Sequence, residues 1–198
     1  LVAKQGLDIG LKVYTPIVEN MPSGTAIRPG DILHMRNGKT IEVINTDAEG
    51  RLIMADALAF ASESKPDIIC DVATLTGAAY VALGVEIGAV FSNNKVTLDS
   101  FLNSNNDGFE NYHSLPLEQS YKSQIKSNIA DMKNSGGRFG GAITAALLLE
   151  EFVDDLNWIH LDIAGPARSR SSNSIYPEGG TGFGVLGYFN FLANEANG

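Results

Sequence analysis

Asn45-Thr46-Asp47-Ala48-Glu49-Gly50-Arg51-Leu52 sets two carboxylates and a guanidinium on a short segment that leads into the apolar run Ile53-Met54-Ala55-Asp56-Ala57-Leu58-Ala59-Phe60-Ala61. The run reads as a largely buried helix starting at Leu52. If the lead-in is extended, its side chains alternate faces, which would put Asp47, Glu49 and Arg51 on one side. Two neighbouring carboxylates repel each other unless a cation lies between them. Mg2+, Mn2+ and Zn2+ all accept carboxylate oxygen. Gly50 is expected to let the chain turn sharply after Glu49. Arg51 would then stand at the helix N-terminus, where a cation opposes the macrodipole, so the guanidinium and the helix end are expected to hold an anion jointly. A D-x-E triplet before a helix also serves as a cap with a favourable dipole charge, and spacing by itself leaves both readings open.

Around this segment, strand and helix patterns alternate. Leu11 to Val18 reads as a strand ending in a Pro/Gly-rich loop, and Asp31 to Arg36 with Lys39 to Ile44 flank Asn37-Gly38, a strong hairpin signal. Lys65-Pro66 breaks the helical pattern, and Asp67 to Thr74 is a short apolar run expected as a central strand. Ile87 to Ser92 is a further strand, followed by a solvated helix and loop through the polar stretch Asn103 to Gly108. Gly140-Gly141 opens a helix from Ala142 to about Val153, Trp158 to Ala164 alternates like a strand, and Phe183 to Ala193 is a terminal helix. This order predicts an α/β fold with a mixed, mostly parallel sheet sandwiched between helices. Sites in such folds gather at the carboxyl ends of strands, where the Asp47 segment, the Thr74-Gly77 turn and the Ala164-Ala167 turn would all emerge.

With 198 residues, 44% of them hydrophobic, the chain can bury a real core, and no composition break argues for more than one domain over residues 1–198. The net charge of −9 disfavours general nucleic-acid binding, since phosphates would be repelled. No window is apolar enough over the ~18 residues of a membrane span, and Leu1-Val2-Ala3-Lys4-Gln5-Gly6 lacks the regions of a signal peptide. The single cysteine, Cys70, cannot form an internal disulfide and lies in an apolar run, so a reducing compartment and a core role are expected.

Other features read as structural. His34, His113 and His160 form no metal-ligand pair, and His160 is expected as a strand residue. Gly136-Gly137-Arg138-Phe139-Gly140-Gly141 lacks the Lys-Ser/Thr of a phosphate-binding loop and reads as packing and backbone turns, with an anion near the helix start as the alternative, and no G-x-S-x-G elbow offers a serine nucleophile. Asp162 is the exception: inside an apolar strand, it must be paired, hydrogen-bonded or close to a metal.

The full octapeptide resembles the signature of the leucine aminopeptidase family, whose members are cytosolic, hexameric, dinuclear-metal exopeptidases. The resemblance extends to Glu19-Asn20-Met21-Pro22-Ser23-Gly24 and Arg28-Pro29-Gly30-Asp31 upstream. Downstream it includes Asp71-Val72-Ala73-Thr74-Leu75-Thr76-Gly77-Ala78, Ala130-Asp131-Met132-Lys133-Asn134 with Gly136-Gly137-Arg138, and His160-Leu161-Asp162-Ile163-Ala164-Gly165-Pro166-Ala167. It thus covers nearly the whole chain in family order. It implies a zinc-exopeptidase-like fold and release of N-terminal residues, with a leucine-type preference, from peptides. Asp47 and Glu49 would ligate two divalent ions, Mn2+ or Zn2+ with Mg2+ as an alternative. Arg51 would be catalytic by holding a bicarbonate that shuttles the proton of the attacking water. Thr74, Leu75 and Gly77 would offer backbone contacts to the peptide, and Ala164 and Ala167 would border the pocket for its N-terminal side chain. The resemblance gives Asp162 no ligand duty, which favours a structural role for it.

The family also carries a metal-binding lysine, two further metal-binding aspartates and an oxyanion-stabilising lysine upstream of the matched region. Lys4 and Asp8 do not replace them, because their spacing is one residue short and no Ser-Gly-Gly follows. The chain is therefore expected to be the C-terminal part of the catalytic domain, truncated on its N-terminal side, inactive or nearly so alone and prone to associate through exposed apolar surface. The complete protein is expected to be a homo-hexamer. Two alternatives differ in class. A DNA-binding accessory factor in recombination would show salt-dependent duplex binding, and a catalytically dead oligomeric scaffold would lack the upstream lysines and aspartates.

Overall fold

The computed structural model describes residues 1–106, 108–172 and 176–197. In chain order the elements are α1 (Val2–Gln5), β1 (Ile32–His34), β2 (Thr40–Glu42), α2 (Gly50–Ser62), β3 (Ile68–Ala73), α3 (Gly77–Leu83), β4 (Ile87–Ser92), α4 (Lys95–Asn103) and β5 (Asn111–Ser114). A 3-10 helix (Gln119–Ile125), β6 (Met132–Lys133), α5 (Gly141–Glu150), β7 (Asn157–Asp162), β8 (Arg168–Ser169), β9 (Gly179–Gly180) and α6 (Val185–Asn197) follow. The fold is mixed α/β, with helices flanking its sheets. These residues form two compact units, one of residues 1–13, 70–115 and 159–198, the other of 14–69 and 116–158.

The first unit is built on the sheet β3-β7-β4-β5, in which β5 runs parallel to β4 and β7 antiparallel to it, Phe91 facing His160 in register. α3 and α4 pack on β4. The side-chain oxygen of Asn94 caps α4 by accepting from the N–H groups of Val96 and Thr97, the favoured start for a helix. Phe101, fully buried, meets Tyr112, Tyr188 and Phe191 with ring centroids 4.9, 5.7 and 5.7 Å away. Tilted and edge-on pairs of this kind suit the aromatic quadrupole and anchor α6.

In the second unit, β1 and β2 form the expected hairpin around Asn37-Gly38, with Gly38 at φ 87° in the left-handed region that the turn requires. β6 adds in parallel on the far side of β2. α5 is apolar around nearly its whole circumference and is correspondingly sunk in the core, Ala145 through Leu149 being fully buried against α2.

Three expectations are corrected. Leu11 to Val18 forms no strand, and its apolar side chains are exposed, Val13 at 76% and Ile17 at 87%. Alternation described the residue pattern, but no neighbouring strand supplies the hydrogen bonds that make a ladder. β3 lies at the edge of its sheet rather than in the centre. The segment before α2 is a turn instead of an extended lead-in, and Gly50 is simply the first helical residue, with no positive φ. Within the polar stretch Asn103 to Gly108, Asp107 lies outside the described residues, as does the end of the 1–198 range.

Candidate active site

Asn45 builds the turn that carries the two carboxylates. Its side-chain oxygen accepts from the N–H of Asp47 at 3.0 Å and its carbonyl accepts from the N–H of Ala48 at 3.2 Å, an Asx-type turn that mimics a backbone turn. Asp47 is exposed and Glu49 half-buried, while Ala48 between them is buried. Glu49 is the N-cap of α2 in helical conformation, and its carbonyl accepts from Leu52 and Ile53. Arg51, the second residue of α2, is only 8% exposed. Asp47, Glu49 and Arg51 thus lie along the turn and the start of α2 in graded environments that strand alternation does not describe.

The turn itself is held by Asn134, which follows β6 and is fully buried. Its side-chain oxygen accepts from the N–H groups of Ile44 and Asn45, at 2.9 and 3.3 Å, and its amide donates to the carbonyls of Asn45 and Ala48, at 2.6 and 3.4 Å. A primary amide has two donor hydrogens and two acceptor lone pairs, and here all are used on one loop.

In the first unit, the Thr74-Gly77 turn leaves β3 and enters α3, with Thr76 as its cap, the hydroxyl accepting from Ala79 at 3.0 Å. Asp162 at the end of β7 joins this turn to Ala164, which it contacts through the backbone N–H at 3.2 Å. Thr74, Leu75, Gly77 and Ala164 thus share one neighbourhood. Ala167 closes a further turn, its N–H donating to the Ile163 carbonyl at 3.0 Å. Ala164 and Gly165 also border a cavity of about 420 Å3 lined by Tyr80, Val85, Arg168, Arg170 and Glu178.

Among the described residues, no group of three or more His, Cys, Asp or Glu side chains is placed to hold a metal ion. Two carboxylates fall short of the four donors of a Zn2+ site and further short of the six of Mg2+ or Mn2+. The described residues therefore do not by themselves fit a two-metal centre.

Residues 1–187 match the model of the cytosol aminopeptidase family, catalytic domain. The chain belongs to this family. A probable cytosol aminopeptidase of Syntrophotalea carbinolica is 50% identical over 189 residues, covering 96% of this chain and 38% of the relative. That of Prochlorococcus marinus subsp. pastoris is 47% identical, covering 94% and 38%. The chain thus spans less than two-fifths of the length of these curated relatives. Among solved structures, a mutant of tomato leucine aminopeptidase superposes with a TM-score of 0.83 at 44% identity, covering 87% of this chain and 34% of that one. The bottromycin maturation enzyme BotP in complex with Mn superposes with a TM-score of 0.87 at 39% identity, covering 91% and 41%.

Against this family background, some residues were legible in the sequence and others were not. The oddity of Asp162 in an apolar strand marked a paired carboxylate, and the structure pairs it four times over. His160 is a fully buried strand residue, its Nδ1 2.5 Å from Asp71 and its ring stacked on Phe91. Asn134 stands in a stretch that carries the resemblance, but its role gave no signal, because a lone asparagine does not disclose partners some 90 residues earlier in the chain.

Proposed function

We propose that this chain is the C-terminal part of a single aminopeptidase catalytic domain that releases N-terminal residues, with a leucine-type preference, from peptides with the help of two divalent ions. The placement of Asp47, Glu49 and Arg51 along the turn and the start of α2, inside the region matched by the family, carries this reading. Asp47 and Glu49 would supply two oxygen donors, the remaining donors coming from outside the described residues. The Mn bound by BotP makes Mn2+ the first ion to test, with Zn2+ and Mg2+ next.

Arg51 would hold a bicarbonate. Its guanidinium and the N-terminus of the thirteen-residue α2 both favour an anion there, and a charge-assisted pair is strong when little exposed to water. The backbone at Thr74, Leu75 and Gly77 would orient the peptide, while Ala164 and Ala167 leave room for its first side chain. In this reading the complete protein is a cytoplasmic homo-hexamer acting on peptides. Membrane association is no part of it. Nucleic acid is not a partner, in keeping with the net charge of −9.

Hydrolysis of a chromogenic leucine amide with Mn2+ and bicarbonate tests the proposal, run on this chain and on the complete polypeptide that carries it. Activity in the complete form alone, lost on Arg51→Ala and on Asp47→Asn, is the expected result. Equal activity in both forms would sink the shared-donor reading. An inactive complete polypeptide would favour the scaffold, and duplex binding that weakens steeply with salt would favour the recombination factor.

A further inference from the structure

Asp162 ends β7 with only 1% of its surface exposed, and a carboxylate so far from water is tolerated only where its oxygens are hydrogen-bonded. One oxygen accepts from the backbone N–H groups of Leu75 at 3.0 Å, Thr76 at 3.3 Å and Ala164 at 3.2 Å. The other accepts from the Thr76 hydroxyl at 2.6 Å. The backbone pairing of β3 with the β7 side reaches as far as Ile163 donating to Ala73 at 2.9 Å. Past that point, the hydrogen bonds described between the Thr74-Gly77 turn and the Ala164 turn all run through this one carboxylate.

We propose that Asp162 is a positioning residue for substrate selection, its carboxylate fixing the gap between the two turns and so the width available to the first side chain of the peptide. The inference rests on the reading that these turns contact the substrate. Asp162 itself touches no substrate. Both carboxylate oxygens are engaged in those four bonds, and its effect passes through Leu75, Thr76 and Ala164. A gap bridged by four directional hydrogen bonds to one carboxylate resists widening, whereas an apolar contact at the same place would let the turns drift apart.

The test measures kcat and KM of the complete polypeptide on leucine, valine and alanine amides for wild type, Asp162→Asn, Thr76→Val and Thr76→Ser, with Tm recorded for each. Asp162→Asn keeps the shape and one acceptor oxygen but loses the oxygen that binds the Thr76 hydroxyl. It is expected to raise KM for leucine amide by about tenfold and to compress the leucine-to-alanine ratio of kcat/KM by a similar factor, with kcat nearly kept. Thr76→Val, which removes the hydroxyl contact to Asp162 together with the cap on the Ala79 N–H and so also lowers Tm, is expected to move both quantities the same way by less. Thr76→Ser, which keeps the oxygen, should move them least, and this pair decides the question should Asp162→Asn fail to fold. A fall in Tm with KM and the selectivity ratio unchanged would show a purely structural carboxylate and overturn the inference. A wild-type polypeptide that hydrolyses none of the amides overturns the peptidase reading and this inference with it.

Discussion

Asn134 grips Asn45 from both sides, its side-chain oxygen accepting from the Asn45 N–H at 3.3 Å while its amide donates to the Asn45 carbonyl at 2.6 Å. Asn45 in turn shapes the Asp47 turn through its own side chain. The position of the two carboxylates is therefore set by residues that carry no charge, one of them beyond β6.

Replacing Asn134 by Ala should free this loop and cost about 3 kcal/mol, the sum of several buried hydrogen bonds left without a partner. Asn134→Asp should be comparably damaging, because its second oxygen would face the carbonyls of Asn45 and Ala48. Chemical denaturation gives the cost, and hydrogen exchange at residues 44–49 should rise in both variants. Unchanged exchange there would refute the clamp.

Glu110 is expected to be the strongest single anchor of α6. Only 4% exposed, it accepts from the N–H groups of Gly184 and Gly187 at 2.9 and 2.6 Å and from the Tyr112 hydroxyl at 2.6 Å. Burial, then the bond to Glu110, pushes the Tyr112 hydroxyl well above its ordinary pKa, so it remains a donor at any working pH. Glu110→Ala should cost about 3 kcal/mol in thermal or urea unfolding. Gly187→Ala should cost about 2 kcal/mol or more for a different reason, since a Cβ there would overlap the Tyr112 hydroxyl.

Acid should weaken the Lys39–Glu151–Lys122 cluster, whose ion pairs are each 2.5 Å long. Burial raises the Glu151 carboxyl, but the hydrogen bonds from Lys122 and Lys39 outweigh it and hold the pKa below the ordinary 4.5. The folded value is the lower one, so the stabilisation is fully present above pH 4.5 and is lost as pH falls through the folded pKa. Tm measured downward from pH 6 should fall more steeply in wild type than in Glu151→Gln, and parallel curves would refute the assignment.

The chain on its own should self-associate. Val13, Ile17, Val81, Val96 and Phe139 are each more than 75% exposed, and burying such side chains against a second copy removes apolar surface from water. Light scattering after size exclusion should show the apparent mass rising with concentration, and a constant 21.1 kDa would count against it.

The sequence by itself determined the elements whose signals are local. Ile87–Ser92 is a strand because its short run is mostly apolar and includes Ile87, Val90 and Phe91, α2 and α5 are helices because their apolar residues persist over about three turns, and Asn37-Gly38 turns because glycine reaches positive φ. It also determined the family, through motifs spread along nearly the whole chain. Only the tertiary structure decided what depends on a second segment. A strand pattern becomes a strand only where a neighbour completes its ladder, which Leu11 to Val18 lacks, and an edge or centre is a property of the sheet, which put β3 at the edge. The grip of Asn134 on Asn45 and of Asp162 on Leu75 and Thr76 joins residues nearly 90 positions apart. Such bonds form because buried polar groups must find partners, and which partner is near is settled by the fold and not by the neighbours in sequence.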